Sequence, residues 1–570
     1  MFVRTKKRGD RTYLMIVENR REKDTIKQVV LHSLGRLDIL LQSGRLDGML
    51  ASLGRLSEKL AVLGDHKSGK SVTTRTKRIG PGLIFERLWE EVGIGCVVRE
   101  LERERNFEFS LERAIFLTVL NRLFDPGSDR AAEKWKTDYA IRGTGALALH
   151  HLYRAMAWLG TPLPKKEQVC ATPFAPRCVK DRIEEELFAK RRDLFSGLDI
   201  VFFDTTSIYF EGEGGRTLGE NGLSKDHRPD LKQMVVGVVL DNDGRPICSE
   251  MWPGNTTDVK SLVPIVQRLS RQFSVSNVCV VADRGMISKE TIKEIERRRW
   301  KYILGVRMRK VKEVKHDVLS RGGRYEEVYP KSPIKKDPSP LKVKEVVIDD
   351  ADARRAKDGE SGEKARRRYV VCQNEDQAVK DRHDREAILA ALEDALTHGD
   401  KSLIGNKGYR RFVKTGGTRF CIDTRKVKEE ERYDGKWVLT TNTDLPAREV
   451  ALKYKQLWMV EEMFRTMKSL LETRPIYHKC DETIRGHVFC SFLALVLRKE
   501  LQDRLESKGW SLEWNDIIHD LDNLLEMEIT VQDKRYIVRS EITGAEGKVA
   551  KACGVALPSV LRSGEPESEG

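Results

Sequence analysis

Ile200-Val-Phe-Phe-Asp204-Thr-Thr-Ser-Ile-Tyr-Phe210 sets one acidic residue in the middle of an apolar and β-branched run. Its length, its aromatic content and its lack of Gly or Pro predict a buried strand. An ionised carboxylate is expensive there unless something compensates it, so Asp204 is a candidate functional residue. Two further strands are predicted at Met234–Leu240 and Ile247–Trp252, joined by the turn Asp241-Asn-Asp-Gly244, in which Asp241 and Asp243 read as hairpin-turn residues. An amphipathic helix is predicted at Asp258–Phe273, a buried strand at Asn277–Ala282, a helix at Lys289–Arg299 and a strand at Tyr302–Val306. Periodicity alone assigns this order to the α/β class.

Asp283 ends the fourth strand, in Val280-Val-Ala-Asp-Arg-Gly285, where the glycine lets the chain turn. Adjacent strand ends can bring two carboxylates together. Two like charges at close range call for a cation, and hard oxygen ligands suit Mg²⁺ or Mn²⁺. Taken singly, each aspartate reads sooner as a turn or helix cap than as a metal ligand. The segment Tyr454-Lys-Gln-Leu-Trp-Met-Val-Glu461-Glu-Met-Phe-Arg-Thr-Met-Lys468 has helical patterning. Tyr454, Glu461 and Lys468 recur at seven-residue intervals, which at about 100° per residue places them along one face. A solvated charged face is the alternative reading of that spacing.

Working outward, residues 1–35 read as a short β-meander, with strands at Thr12–Val17 and Thr25–Leu31 and a charged turn over residues 19–24. Leucines recur at helical spacing from Leu37 to Leu63, interrupted by Gly44, Gly48 and Gly54, and a basic linker is expected from Gly64 to Gly82. Residues 83–195 read as mostly helical, with amphipathic stretches at Ile84–Glu102, Leu111–Leu123 and Leu147–Leu159. Residues 309–440, rich in Lys and Arg and containing the charged run Asp350–Arg368, are expected to form an inserted, mostly β subdomain with one helix near Arg385–Leu396. Helix resumes at Pro446–Leu471 and Glu482–Leu505, and disorder is expected beyond about residue 555. The domain expectation is therefore 1–75, 76–195, 196–308, 309–440, 441–510 and 511–570.

The chain of 570 residues carries 103 Lys and Arg against 88 Asp and Glu, a formal charge of +15. That balance favours a polyanionic partner, nucleic acid before acidic membrane, since no long amphipathic segment has a uniformly basic face. The ten cysteines include no Cys-x2-Cys pair, which argues against a zinc knuckle and for free thiols in a reducing cytoplasm. The first seven residues are too charged for a signal peptide, and the longest apolar run, Val488–Leu497, is too short to span a bilayer.

With these residues in hand, the sequence resembles the insertion-sequence DDE transposases. In one large group of that family the third carboxylate lies in Tyr-x2-Arg-x3-Glu-x6-Lys; this chain matches at Tyr454, Glu461 and Lys468 and departs at Leu457, where the group has Arg. Further similar stretches are Phe203–Thr206, Ser224–Gln233, Pro253–Asp258, Ala282–Gly285, Asp434–Asn442 and, upstream, Leu123–Ser128. The resemblance covers about residues 110–500. It implies an α/β multidomain protein whose RNase H-like catalytic core is interrupted by a β-rich insertion before the Glu helix. It further implies Asp204, Asp283 and Glu461 as the catalytic, metal-binding triad, with Mg²⁺ as cofactor (Mn²⁺ substituting). Tyr454 and Lys468 are implied as DNA-phosphate contacts, with Lys455 or Arg465 replacing the missing arginine. The implied activity binds the terminal inverted repeats of an insertion sequence, hydrolyses DNA at the element ends and joins the 3′-OH ends to target DNA by two-metal chemistry. The implied partners are double-stranded element-end and target DNA and a second copy in a synaptic homodimer, in the cytoplasm at the nucleoid. A structure-specific nuclease and a non-catalytic DNA-binding derivative are the alternatives.

Gly64-Asp-His-Lys-Ser-Gly-Lys-Ser71 literally fits the P-loop pattern, but a P-loop needs a preceding strand and a helix opening at its Lys-Ser. The surrounding pattern offers neither, so neither ATP nor a membrane is expected as a partner. His227 and Arg228 read either as DNA contacts or as parts of a structured loop. His478 and His487 read as helix-packing or surface residues rather than metal ligands. Trp437 reads as a core strand residue, with stacking on a DNA base as the alternative.

Overall fold

The structure is a computed structural model. It describes residues 1–22, 25–56, 73–168, 175–191, 198–275, 278–329, 339–349, 366–398, 409, 411–416, 419–531 and 534–563. The P-loop-like stretch and most of the charged run 350–368 lie outside the described residues. The chain forms two compact units, one of Met1–Leu83, Asp138–Ala140 and Leu512–Gly570, the other of Ile84–Thr137 and Ile141–Ser511.

In the first unit, β1 (Phe2–Arg8), β2 (Arg11–Glu22) and β3 (Thr25–Arg36) form an antiparallel sheet in that order. The stretch expected as a charged turn is partly strand: the β2–β3 ladder runs on to Glu22↔Thr25. Helices α1 (Leu37–Gln42) and α2 (Arg45–Leu56) follow, parted at Gly44, whose φ of +66° is easy only for glycine. The expected linker is corrected by β4 (Thr73–Arg78). Its three threonines favour a strand, but its partner lies some 450 residues away, out of reach of any local pattern.

Helix α3 (Gly80–Val92) begins in the last residues of the first unit and runs on into the second, which continues with α4 (Ile94–Glu102), α5 (Leu111–Phe124), α6 (Asp129–Trp135), α7 (Leu149–Leu159) and α8 (Val179–Lys190). The single helix expected over Ile84–Glu102 breaks at Gly93, at φ +90°. Ser110 caps α5 by accepting the Arg113 N–H at 3.3 Å. Helix α5 is buried along nearly its whole length, so it is interior rather than amphipathic.

Next come β5 (Ile200–Tyr209), β6 (Gln233–Leu240), β7 (Pro246–Pro253), α9 (Asp258–Arg271), β8 (Cys279–Ala282), α10 (Lys289–Arg297) and β9 (Lys301–Val306), in the predicted order. They are followed by β10 (Glu326–Val328), β11 (Leu341–Asp349), β12 (Arg366–Asn374), α11 (Glu375–Thr397), the hairpin β13 (Val413–Gly416) and β14 (Arg419–Ile422), α12 (Thr424–Glu431) and β15 (Lys436–Thr441). Within the stretch 309–440, β13 and β14 pair as a two-stranded sheet of their own. The longer strands of that stretch extend the central sheet, giving nine strands in the order β10-β11-β12-β15-β9-β8-β5-β6-β7. The join is β15 lying antiparallel on β9, Val438 opposite Val306. Only the β5–β8 and β8–β9 pairs are parallel.

One face of this sheet, with Val201, Phe203, Val280, Ala282 and Leu304, packs on Leu262, Ile265 and Leu269 of α9 and Ile295 of α10. The other face receives α13 (Ala447–Lys455), against β8, β9, β11 and β12, and α14 (Trp458–Arg465), against β5 and β6. The long α15 (Asp481–Ser507) packs against α5 and α7. It crosses α7 at close range: a Cβ at Gly160 would overlap the Glu482 carbonyl, and one at Gly486 the Met156 carbonyl. The chain ends in the first unit with α16 (Trp514–Asp522), β16 (Leu525–Val531), β17 (Lys534–Arg539), α17 (Glu546–Ala552) and β18 (Leu561–Ser563), giving the sheet β18-β17-β16-β4. Disorder expected from residue 555 is corrected as far as Ser563, because β18 finds a partner in β17. Among the described residues no helix is long and apolar enough to cross a membrane.

Candidate active site

The two aspartates come together because β5 and β8 are parallel neighbours in the register Phe203↔Ala282. The next residue on each is acidic: Asp204 within β5, Asp283 just past the end of β8. Strand alternation points Phe203 toward α9 and Asp204 toward the face that carries α13 and α14. The Asp204 carboxyl accepts the Thr205 N–H at 2.7 Å. Burial pushes it up to about 6; Lys225 and the Thr205 N–H pull it down, and Asp283 and Asp258 push it further up.

Asp258 and Lys225 were not singled out by sequence reasoning. Asp258 opens α9 and accepts the Thr205 hydroxyl at 2.7 Å. The Lys225 ammonium donates to the Thr205 carbonyl at 2.7 Å and stands 3.5 Å from Asp258. Both residues lie in stretches quoted above for their resemblance, but no spacing rule marks either one, because their proximity arises from loops crossing the strand ends.

Tyr454, near the end of α13, donates its phenol to Asp283 Oδ1 at 2.7 Å. Burial and the adjacent Asp283 carboxylate hold the phenol protonated, so it remains a donor. Gly305 of β9 makes this possible: a Cβ there would overlap the Tyr454 hydroxyl. Nothing in the sequence distinguishes Gly305 from any other strand glycine.

The helix that carries Tyr454, Glu461 and Lys468 is irregular. Between α13 and α14 it tightens, with the Met459 N–H bonded to the Gln456 carbonyl and Val460 to Leu457. After α14 it widens into a π-turn over Thr466–Leu470, closed by the Leu471 N–H on the Thr466 carbonyl at 3.0 Å. Each such change shifts the phase that a count of 100° per residue assumes. Glu461 lies exposed in the first turn of α14. Lys468 is instead mostly buried and pairs with Asp226 at 2.7 Å.

The remaining expected phosphate contacts divide. The Lys455 ammonium lies over the half-buried Trp437 ring, 4.8 Å from its centroid, while Arg465 is exposed. Leu457 is buried. Arg228 chelates Asp230 and stands over the Tyr209 ring, so the loop of His227 and Arg228 is structured. Asp241 accepts the Asp243 and Arg245 N–H groups, as a turn residue does. His487 is buried, with Arg122 at 2.7 Å and the Thr473 carbonyl at 3.1 Å, and His478 adjoins it at 3.1 Å; both are packing residues.

A divalent cation suits Asp204 and Asp283. Both offer hard oxygen donors, and their mutual repulsion and partial desolvation are what a cation relieves. Among the described residues, however, no three His, Cys, Asp or Glu side chains converge closely enough to hold one ion.

The family model described as the transposase DDE domain matches residues 195–497, more than half of the chain. The model described as the IS1634 family transposase N-terminal domain matches residues 2–65. No curated protein matches the chain.

Proposed function

Because the chain belongs to the DDE-domain transposases, we propose that it cuts DNA at the terminal inverted repeats of an insertion sequence and joins the freed 3′-OH ends to target DNA. The observation that carries this reading is the side-by-side placement of Asp204 and Asp283 on parallel neighbours, under the helices that bear Tyr454 and Glu461. The run of β7-β6-β5 continued by parallel β8 and β9 supports an RNase H-like core, with residues 309–440 inserted before the Glu helix.

In this reading Asp204 and Asp283 would hold Mg²⁺, or Mn²⁺ in its place, and the exposed Glu461 would complete the set as a ligand brought in from α14. When bound, the ions supply an activated oxygen nucleophile and stabilise the leaving oxygen of an in-line displacement. Tyr454 fixes the Asp283 carboxylate through its phenol hydrogen bond. Lys225 moderates the negative charge around Asp204. Lys468 and its neighbours offer positive charge to the DNA backbone, and the overall +15 aids the approach of DNA. Two copies would hold the two element ends in a synaptic homodimer. A cytoplasmic setting at the nucleoid is part of the same reading.

The test is cleavage of a duplex containing one end of the element that encodes this chain, with Mg²⁺ present. Asp204→Asn, Asp283→Asn and Glu461→Gln should each abolish cleavage while leaving DNA binding within a few-fold of wild type. A variant that cuts normally removes its residue from the triad.

A further inference from the structure

Lys468 and Arg474 converge on one carboxylate. The Lys468 ammonium stands 2.7 Å, and an Arg474 terminal nitrogen 2.6 Å, from the same oxygen, Asp226 Oδ1. The Asp226 side chain is 4 % exposed, against 10 % for Lys468 and 26 % for Arg474. Two cations thus share one buried anion, leaving a surplus positive charge at a partly open position. Most of the ammonium and guanidinium donors remain unspent. The second carboxylate oxygen, Oδ2, is buried and has no hydrogen-bond partner among the described residues. Asp226 therefore orients the pair without neutralising it.

The position is fixed from both sides. Asp226 follows Lys225, whose ammonium is bonded to Thr205, next to Asp204. Arg474 is pinned through its own segment, since the Ile476 N–H bonds the Tyr209 carbonyl at 3.2 Å and its carbonyl accepts the Glu211 N–H at 3.0 Å. The Arg474 guanidinium also stands over the Tyr209 ring, 5.7 Å from its centroid, at the end of the strand that carries Asp204.

We propose that Arg474 is a DNA-phosphate ligand acting with Lys468, and that Asp226 is the positioning residue that holds the two together. This rests on the DNA-cutting reading above and assigns a contact that the Tyr454–Lys468 segment does not contain. A guanidinium beside an ammonium suits a backbone phosphate, which accepts several hydrogen bonds at once.

The experiment measures binding of the full chain to a 30-base-pair duplex at several salt concentrations. Each phosphate contact contributes about 0.9 to the slope of log affinity against log salt. Arg474→Gln should flatten the slope by about one contact, so that raising salt from 50 to 200 mM weakens binding about threefold less than in wild type. Arg474→Lys, which keeps the charge and guards against a folding defect, should restore most of the slope. An unchanged slope in Arg474→Gln overturns the proposal, most clearly if Arg465→Gln flattens it instead. In an Asp226→Asn background the Arg474→Gln change should have a much smaller effect; an equal effect in both backgrounds removes Asp226 from the positioning role. Absence of salt-sensitive DNA binding by the wild-type chain would overturn the DNA-cutting reading itself, and this contact with it.

Discussion

Tyr454 reaches Asp283 across 2.7 Å only because the strand residue beneath its hydroxyl is Gly305. The phenol fixes a carboxylate that alternation and register bring beside Asp204 but do not orient. A hydrogen bond to a charged group contributes about 1.5–3 kcal/mol.

If that bond orients Asp283, Tyr454→Phe should slow cleavage about ten- to a hundredfold, by the usual conversion of such an energy to rate. Gly305→Ala should do the same by displacing the hydroxyl, and the double variant should be little worse than either single one. Cleavage rates of the three variants, with melting curves to confirm folding, check this. Multiplying defects would mean that Gly305 acts through something other than Tyr454.

The Asp204 carboxyl, near 6 against an ordinary 3.8, makes stability depend on pH. Below about pH 3 it is protonated in folded and unfolded chains alike and contributes no penalty. Above pH 6 folding must bury part of an anion, a penalty of up to about 3 kcal/mol. Asp204→Asn should therefore melt higher than wild type at pH 7.5 with a chelator present, and the gain should shrink steadily from pH 6 down and vanish near pH 3. Coincident melting curves at pH 7.5 would show that the anion is not strained.

Strand β4 pairs along its whole length with β16, from Thr73↔Thr530 to Arg78↔Leu525, at the edge of a four-stranded sheet. The sheet β1-β2-β3 shares no strand with it. Removing residues 1–72 should leave the remaining chain soluble with nearly unchanged melting. Removing residues 1–78 should expose the β16 edge and promote aggregation. Light scattering and thermal melts distinguish the two, and equal behaviour would show that β4 is dispensable to its sheet.

The sequence by itself determined the strands around Asp204 and Asp283 and the helices between them. Buried strands of four to ten residues separated by amphipathic helices leave a strong local signature. It also marked Asp204, because an ionised carboxylate inside an apolar strand is costly unless a cation or a hydrogen-bond donor meets it. Only the tertiary structure decided the rest, for physical reasons that differ by residue. That β11, β12 and β15 extend the central sheet depends on an edge-to-edge pairing between β9 and β15, whose residues lie more than a hundred positions apart. That Tyr454, Glu461 and Lys468 face different neighbours depends on a tightening and a π-turn set by packing rather than composition. Gly305, Asp226 and Arg474 took their places through contacts between distant segments. A side chain's chemistry can be read from its letter, but which group it meets is fixed only when the backbone has brought the two together.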